Sequence, residues 1–131
     1  MKRRIAISAA ALLGSLLPVS HADAAAGRCP QYEALLTIWA PRGGWSVVRM
    51  SRIMFRESRC DAKAVNKRGG DSGLLQAHPI VWPFLSKKFG VPMADMRPWL
   101  LDPVNNIRAG AALFEFWHRA GRSGYQPWAV R

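Results

Sequence analysis

Acidic residues are scarce in this chain of 131 residues. Eight Asp and Glu face nineteen Lys and Arg, a formal net charge of +11. Such a surface is drawn to polyanions. Cysteine is nearly absent too, with only Cys29 and Cys60. Neither is spaced against the other, or against His78 and His118, as a metal site would require, so no metal is expected. Internal repeats and low-complexity segments are missing. After the N-terminal apolar run, no stretch reaches the 20 or so residues that span a bilayer, so no membrane span is expected beyond it.

That first run has its own meaning. Residues 1–24, "MKRRIAISAAALLGSLLPVSHADA", begin with Lys2, Arg3 and Arg4 and continue apolar from Ile5 to Leu17. They end on the small-residue exit Ala22-Asp23-Ala24. This is the pattern of a secretory signal peptide that is removed. Residues 25–131 then form one exported domain, secreted or periplasmic, expected to be soluble and monomeric. In that compartment two cysteines predict a disulfide. Closing a loop of about 31 residues is worth about 3–4 kcal/mol in the chain-entropy model. For an exported cationic domain, envelope polymers with carboxylates and phosphates are better partners than nucleic acid. The blander alternative is that the charge serves only solubility.

Local patterns are mostly helical. "QYEALLTIWA" stops before Pro41, and Ser46 is placed to cap a helix over Val47–Ser58. "AVNKRGGDSGLLQ" (Ala64–Gln76) changes texture and predicts a small β-hairpin. Residues 79–89 read as a helix ending at Gly90, and "MADMRPWLL" as a short helical piece. Asp102 as N-cap, Pro103 as first residue and Gly121 as stop frame a longer helix. Its Ile107, Ala111, Phe114 and Trp117 recur at near-helical spacing, which predicts a central buried helix. The tail "GRSGYQPWAVR" reads as loop. The fold class is α+β, mostly α.

On a wheel of about 100° per residue, Arg49, Arg52, Arg56 and Arg59 form one stripe, the solvated side. Glu57 falls with Met50, Ile53 and Met54 on the apolar side. Burial of a carboxylate disfavours its charged form, as does the C-terminal end of a helix dipole. The pattern therefore predicts a protonated acid in an apolar crevice, able to act as general acid. A core-edge Glu paired with an arginine is the equal alternative. Asp71 follows in the Gly-rich turn and could face Glu57 across a cleft. Two carboxylates flanking a sugar-sized gap suit glycoside cleavage. Asp is also an ordinary turn residue.

The ordered set "ESRCDAKAVN", "GDSGLLQ", "LDPVNNIRAGAALF" and a closing "G…PW" resembles the lysozyme-like superfamily. Within it, the transglycosylase SLT domain group and small secreted muralytic proteins are the most similar. The matched features are Glu57-Ser58 at a helix end, Ala64, the Gly70–Gln76 turn and the Asp102–Ile107 helix start. The resemblance implies a lysozyme-like fold with a small hairpin beside a catalytic cleft. It implies cleavage of the β-1,4 bond between N-acetylmuramic acid and N-acetylglucosamine in peptidoglycan, without a cofactor. Glu57 would be the catalytic acid. Ser72, Gly73, Leu74 and Gln76 would line the glycan cleft, and Trp82, just after the turn, is a further candidate for it.

Two departures stand out. The family's late Ala-Tyr-Asn-Ala-Gly segment is missing, and Tyr125 is only a loose substitute. Asp71 stands where the family often has Ala, and "DSGLLQ" is similar to the Asp-Tyr-Gly-Ile-Leu-Gln of c-type lysozymes, whose Asp is the second catalytic carboxylate. Both lean toward hydrolysis, with the anhydro-forming lytic reaction left open. The alternative from another class is a basic wall-binding module on the same fold without turnover.

Overall fold

The structure, a computed structural model, describes residues 27–129. The expected signal peptide lies outside the described residues. Among these residues five α-helices run in order: α1 (Glu33–Ile38), α2 (Val47–Ser58), α3 (Trp82–Phe89), α4 (Met96–Leu100) and α5 (Pro103–Arg119). Single 3-10 turns precede α1, α3 and α4, and another (Gln126–Trp128) closes the described part. Among the described residues no helix is long and apolar enough to cross a membrane.

The two helices that frame the site start where their caps dictate. The Ser46 side chain accepts the Arg49 N–H at 3.2 Å, which satisfies a donor that the first turn leaves unpaired. α2 stops at Arg59 and Cys60, both left-handed at φ 56° and 62°. A disulfide joins Cys60 to Cys29. Ser51, fully buried on α2, holds the same N-terminal arm. Its Oγ accepts from the Arg28 and Cys29 amides at 3.0 and 2.9 Å and donates to Glu33 at 3.1 Å. On α5, Asp102 accepts the Asn105 N–H at 3.0 Å and Pro103 fills the first position.

The core is formed by Leu36, Met50, Met54, Leu74, Leu85, Met96, Leu100 and Ile107, all fully buried. Each such side chain contributes about 1.5–3 kcal/mol by leaving water. α5 crosses this core. Ile107 and Phe114 are buried as their spacing predicts, while Ala111 and Trp117 sit at its margin. The tail is more than loop. Trp128 is buried and its indole donates to the Leu75 carbonyl at 2.9 Å.

The expected hairpin is reduced to two isolated antiparallel bridges, Val65 to Ser72 and Ser72 to Ala77. Ser72 belongs to both, so the chain reverses twice within residues 65–77 and neither pairing extends into a ladder. Gly70 and Gly73, at φ 76° and 81°, make those reversals. Glycine is required at 73 for a second reason. A Cβ there would collide with the Asn106 amide and the Leu100 carbonyl.

Candidate active site

Asn106 fixes this loop to α5 from behind. It is buried, and its amide donates to the Ser72 and Leu100 carbonyls at 3.0 and 2.9 Å. Its Oδ1 accepts the Leu75 N–H at 2.8 Å. Gly110, one turn further along α5, leaves room for the Leu75 side chain. The loop is thus held at both Ser72 and Leu75, and its opposite face is presented to the end of α2.

Between them runs a groove. One stretch is lined by Arg56, Glu57, Asp71, Gln76, Pro127, Trp128 and Ala129. The groove continues on one side over Ala77, His78, Ile80, Leu113 and Trp117. On the other it continues past Arg49, Ser123, Tyr125 and Gln126. Trp128 lines all three stretches, so the closing 3-10 turn forms much of the floor. Glu57 and Asp71, which the sequence pairs, do line one stretch of this groove.

Glu57 is not in an apolar crevice. Its side chain is 26% exposed and ion-paired with Arg56, whose Nη2 lies 2.8 Å from Oε1. Arg56 Nε donates to the same oxygen at 3.2 Å, and Nη2 also donates to the Trp128 carbonyl at 2.6 Å. The physical reason is position. Met50, Ile53 and Met54 fill the core, but Glu57 is on the last turn of α2, where the apolar face runs out into the groove. Arg49, Arg52, Arg56 and Arg59 are all exposed, as the stripe predicts, and their side chains are engaged as well. Arg56 joins the site. Arg49 lies 3.8 Å over the Tyr125 ring, and Arg59 lies 4.6 Å over the Phe55 ring.

Asp71 is more enclosed, with its side chain 15% exposed. Its Oδ1 is shut off from solvent and has no hydrogen-bond partner. His78 Nε2 lies 3.8 Å away. Gln76 is held at φ 50°, an uncommon conformation for a residue with a side chain. Its Nε2 donates to the Ala64 and Gly73 carbonyls at 3.1 and 2.9 Å, which fixes the side chain on the groove wall.

The remaining predicted residues lie elsewhere. Ser72, Gly73 and Leu74 are buried on the α5 side of the loop, and they shape the groove wall from behind. Ser72 Oγ donates to the Gly70 carbonyl at 2.9 Å. Trp82 is outside the groove lining described above. Its indole donates to the Ala77 carbonyl at 3.1 Å, and Arg97 lies 5.5 Å over its ring. The tryptophans that do reach the groove are Trp117 and Trp128. Tyr125 is remote from the acid. Its hydroxyl accepts the Ser46 N–H at 2.7 Å, at the opposite end of α2 from Glu57. The two positions are eleven steps apart along the helix, a rise of about 16 Å. Among the described residues no cluster of His, Cys, Asp and Glu is placed to hold a metal ion.

A helical domain whose acidic helix end faces a Gly-rich loop across a groove has the layout of the lysozyme-like class. The family model of the transglycosylase SLT domain matches residues 39–129, and the chain belongs to that family. No curated protein and no solved structure matches it. The family acts on the peptidoglycan of the cell wall, by cleavage of the lytic transglycosylase type.

Proposed function

We propose that this protein is an exported enzyme that cuts the β-1,4 bond between N-acetylmuramic acid and N-acetylglucosamine in peptidoglycan strands. Residues 1–24 direct it out of the cell and are removed. The domain works as a monomer, and its cationic surface favours anionic wall polymers over nucleic acid as partners. The observation that carries this is the convergence of Glu57 and Asp71 on one groove in a chain of the SLT family.

Glu57 serves as the acid. Arg56, tethered to the Trp128 carbonyl, sets the direction of its carboxyl group. Glycan seated over Glu57 excludes water from it, the setting in which a carboxylic acid hands its proton to a leaving oxygen. The bond from the sugar C1 to that oxygen then breaks. Asp71 is the second carboxylate. Its place in the groove, and the distance of the Tyr125 hydroxyl from Glu57, favour attack by water over ring closure by the sugar's own 6-hydroxyl. Gln76 holds glycan on the loop side.

The purified protein should clear suspended cell walls, and Glu57→Gln should bind walls without clearing them. One observation favours a second reading. Arg56 already occupies Glu57 Oε1, as it would in a wall-binding module without turnover. That alternative predicts wall binding by the wild type with no release of fragments.

A further inference from the structure

We propose that His78 is a positioning residue for Asp71, and that the pair steers water rather than the 6-hydroxyl to the sugar C1. The inference rests on the glycan-cleaving reading above. It begins from two facts that the general acid does not use. Asp71 Oδ1 is enclosed and has no hydrogen-bond partner, which is costly for a carboxylate oxygen. The imidazole of His78 stands 3.8 Å from it, through Nε2.

The other ring nitrogen fixes how the imidazole is used. His78 caps the 3-10 turn Pro79–Val81, and its Nδ1 accepts the Ile80 N–H at 3.0 Å. An amide N–H can only donate, so Nδ1 presents its lone pair. The proton of the neutral ring is therefore on Nε2, the atom that faces Asp71. N–H···O bonds centre near 2.9 Å, so a shift of roughly 0.9 Å completes the contact. The chain order makes this possible. Gln76 at positive φ turns the backbone between Asp71 and His78, and the Ser72–Ala77 bridge holds the two ends of that turn together. Arg97 lies against Gly70, next to Asp71 in the chain, and makes no hydrogen bond to Oδ1.

With Oδ1 held by His78, the carboxylate is fixed in one orientation toward the groove. In hydrolysis, the oxygen of water bonds to C1 as the C1–O4 bond breaks. Glu57 gives its proton to O4, and Asp71 takes the proton that water loses. In ring closure, the 6-hydroxyl oxygen bonds to C1 and its proton goes to the Glu57 carboxylate. Only the first route uses Asp71 as base, so loosening Asp71 should slow cleavage and raise the share of anhydro product.

His78→Asn separates this role from the cap. Asparagine caps the turn as well as histidine does, but is too short to reach Asp71. The experiment digests purified peptidoglycan with wild type, His78→Asn, His78→Ala and Asp71→Asn. It reads kcat, KM and, by mass spectrometry, the ratio of reducing to anhydro ends. Both His78 variants should lose about tenfold in kcat with KM nearly unchanged, the scale of a misplaced catalytic group. Both should shift toward anhydro ends, and neither change should add to Asp71→Asn. Only His78→Ala should melt earlier. If His78→Asn keeps the wild-type rate and product ratio, His78 is only a cap and the proposal is wrong. If the wild type releases no fragments, the glycan-cleaving reading and this inference fall together, and the two failures are told apart.

Discussion

The two faces of the loop from Ala64 to Ala77 treat polar groups in opposite ways. On the α5 side, Asn106 is buried and saturated, with two donated bonds and one accepted bond. On the groove side, Asp71 keeps an enclosed oxygen without a hydrogen-bond partner, Gln76 keeps a strained backbone, and Glu57 is partly exposed and held by Arg56. Buried polar groups are normally satisfied, so the exception at Asp71 Oδ1 calls for a reason. Among the described residues it falls, with the strained Gln76, on the face that a substrate would meet. The saturated face supplies the rigidity that lets the other stay incomplete.

That contrast predicts different losses on the two sides. The largest belongs to the groove. Glu57→Gln should lower the rate of muropeptide release about 1000-fold, in the range for a lost general acid, and leave the melting temperature unchanged. Asn106→Ala should do the reverse. Loss of three bonds at a buried site should destabilise the fold by roughly 3 kcal/mol in urea titration, since the stranded carbonyls and amide are left buried. Under conditions where the protein is still folded, its activity should persist. Asp71→Asn should cost about 100-fold in kcat with little change in unfolding. If its rate barely changes, water is not being activated there and the ring-closing reaction is the better account. The smallest effect is at Arg56. Arg56→Gln removes an exposed ion pair of small worth, below about 1 kcal/mol, so stability should hardly move. It also removes the bridge by which Arg56 ties Glu57 to the Trp128 carbonyl, and a change of a few-fold in KM would report that.

Much of the scaffold was legible in advance because its signals are local. Ser46, Asp102 and Pro103 mark helix starts through atoms two or three residues away. The position of Glu57 at the end of an apolar helix face follows from periodicity alone. The pairing of Cys29 with Cys60 follows from their number. What could not be read depends on partners distant in the chain. Nothing in "PVNNIRAG" says that Asn106, rather than Asn105, turns inward to grip a loop more than thirty residues earlier. The tail from Gly121 has loop composition, yet Trp128 reaches back across 53 positions to Leu75 and becomes the groove floor. The wheel puts Arg56 about 100° from Glu57 and among the solvated residues, and it is exposed there, but the wheel does not show that it also serves the site. A wheel gives the direction of a Cα–Cβ bond and not the reach of a long side chain, which here folds back over the neighbouring acid. The hairpin expectation fails for a related reason. Glycines spaced through residues 69–73 are as good for two tight reversals as for one turn between strands.

The most direct test of the central claim is the chemistry of the ends that the protein makes. Purified peptidoglycan digested in parallel with wild type and Glu57→Gln would be resolved by mass spectrometry into reducing and anhydro muropeptides. Cleavage by Glu57 with water steered from Asp71 predicts mainly reducing ends from the wild type and none above background from the variant. Equal yields from both proteins, or no new ends from the wild type, would contradict it.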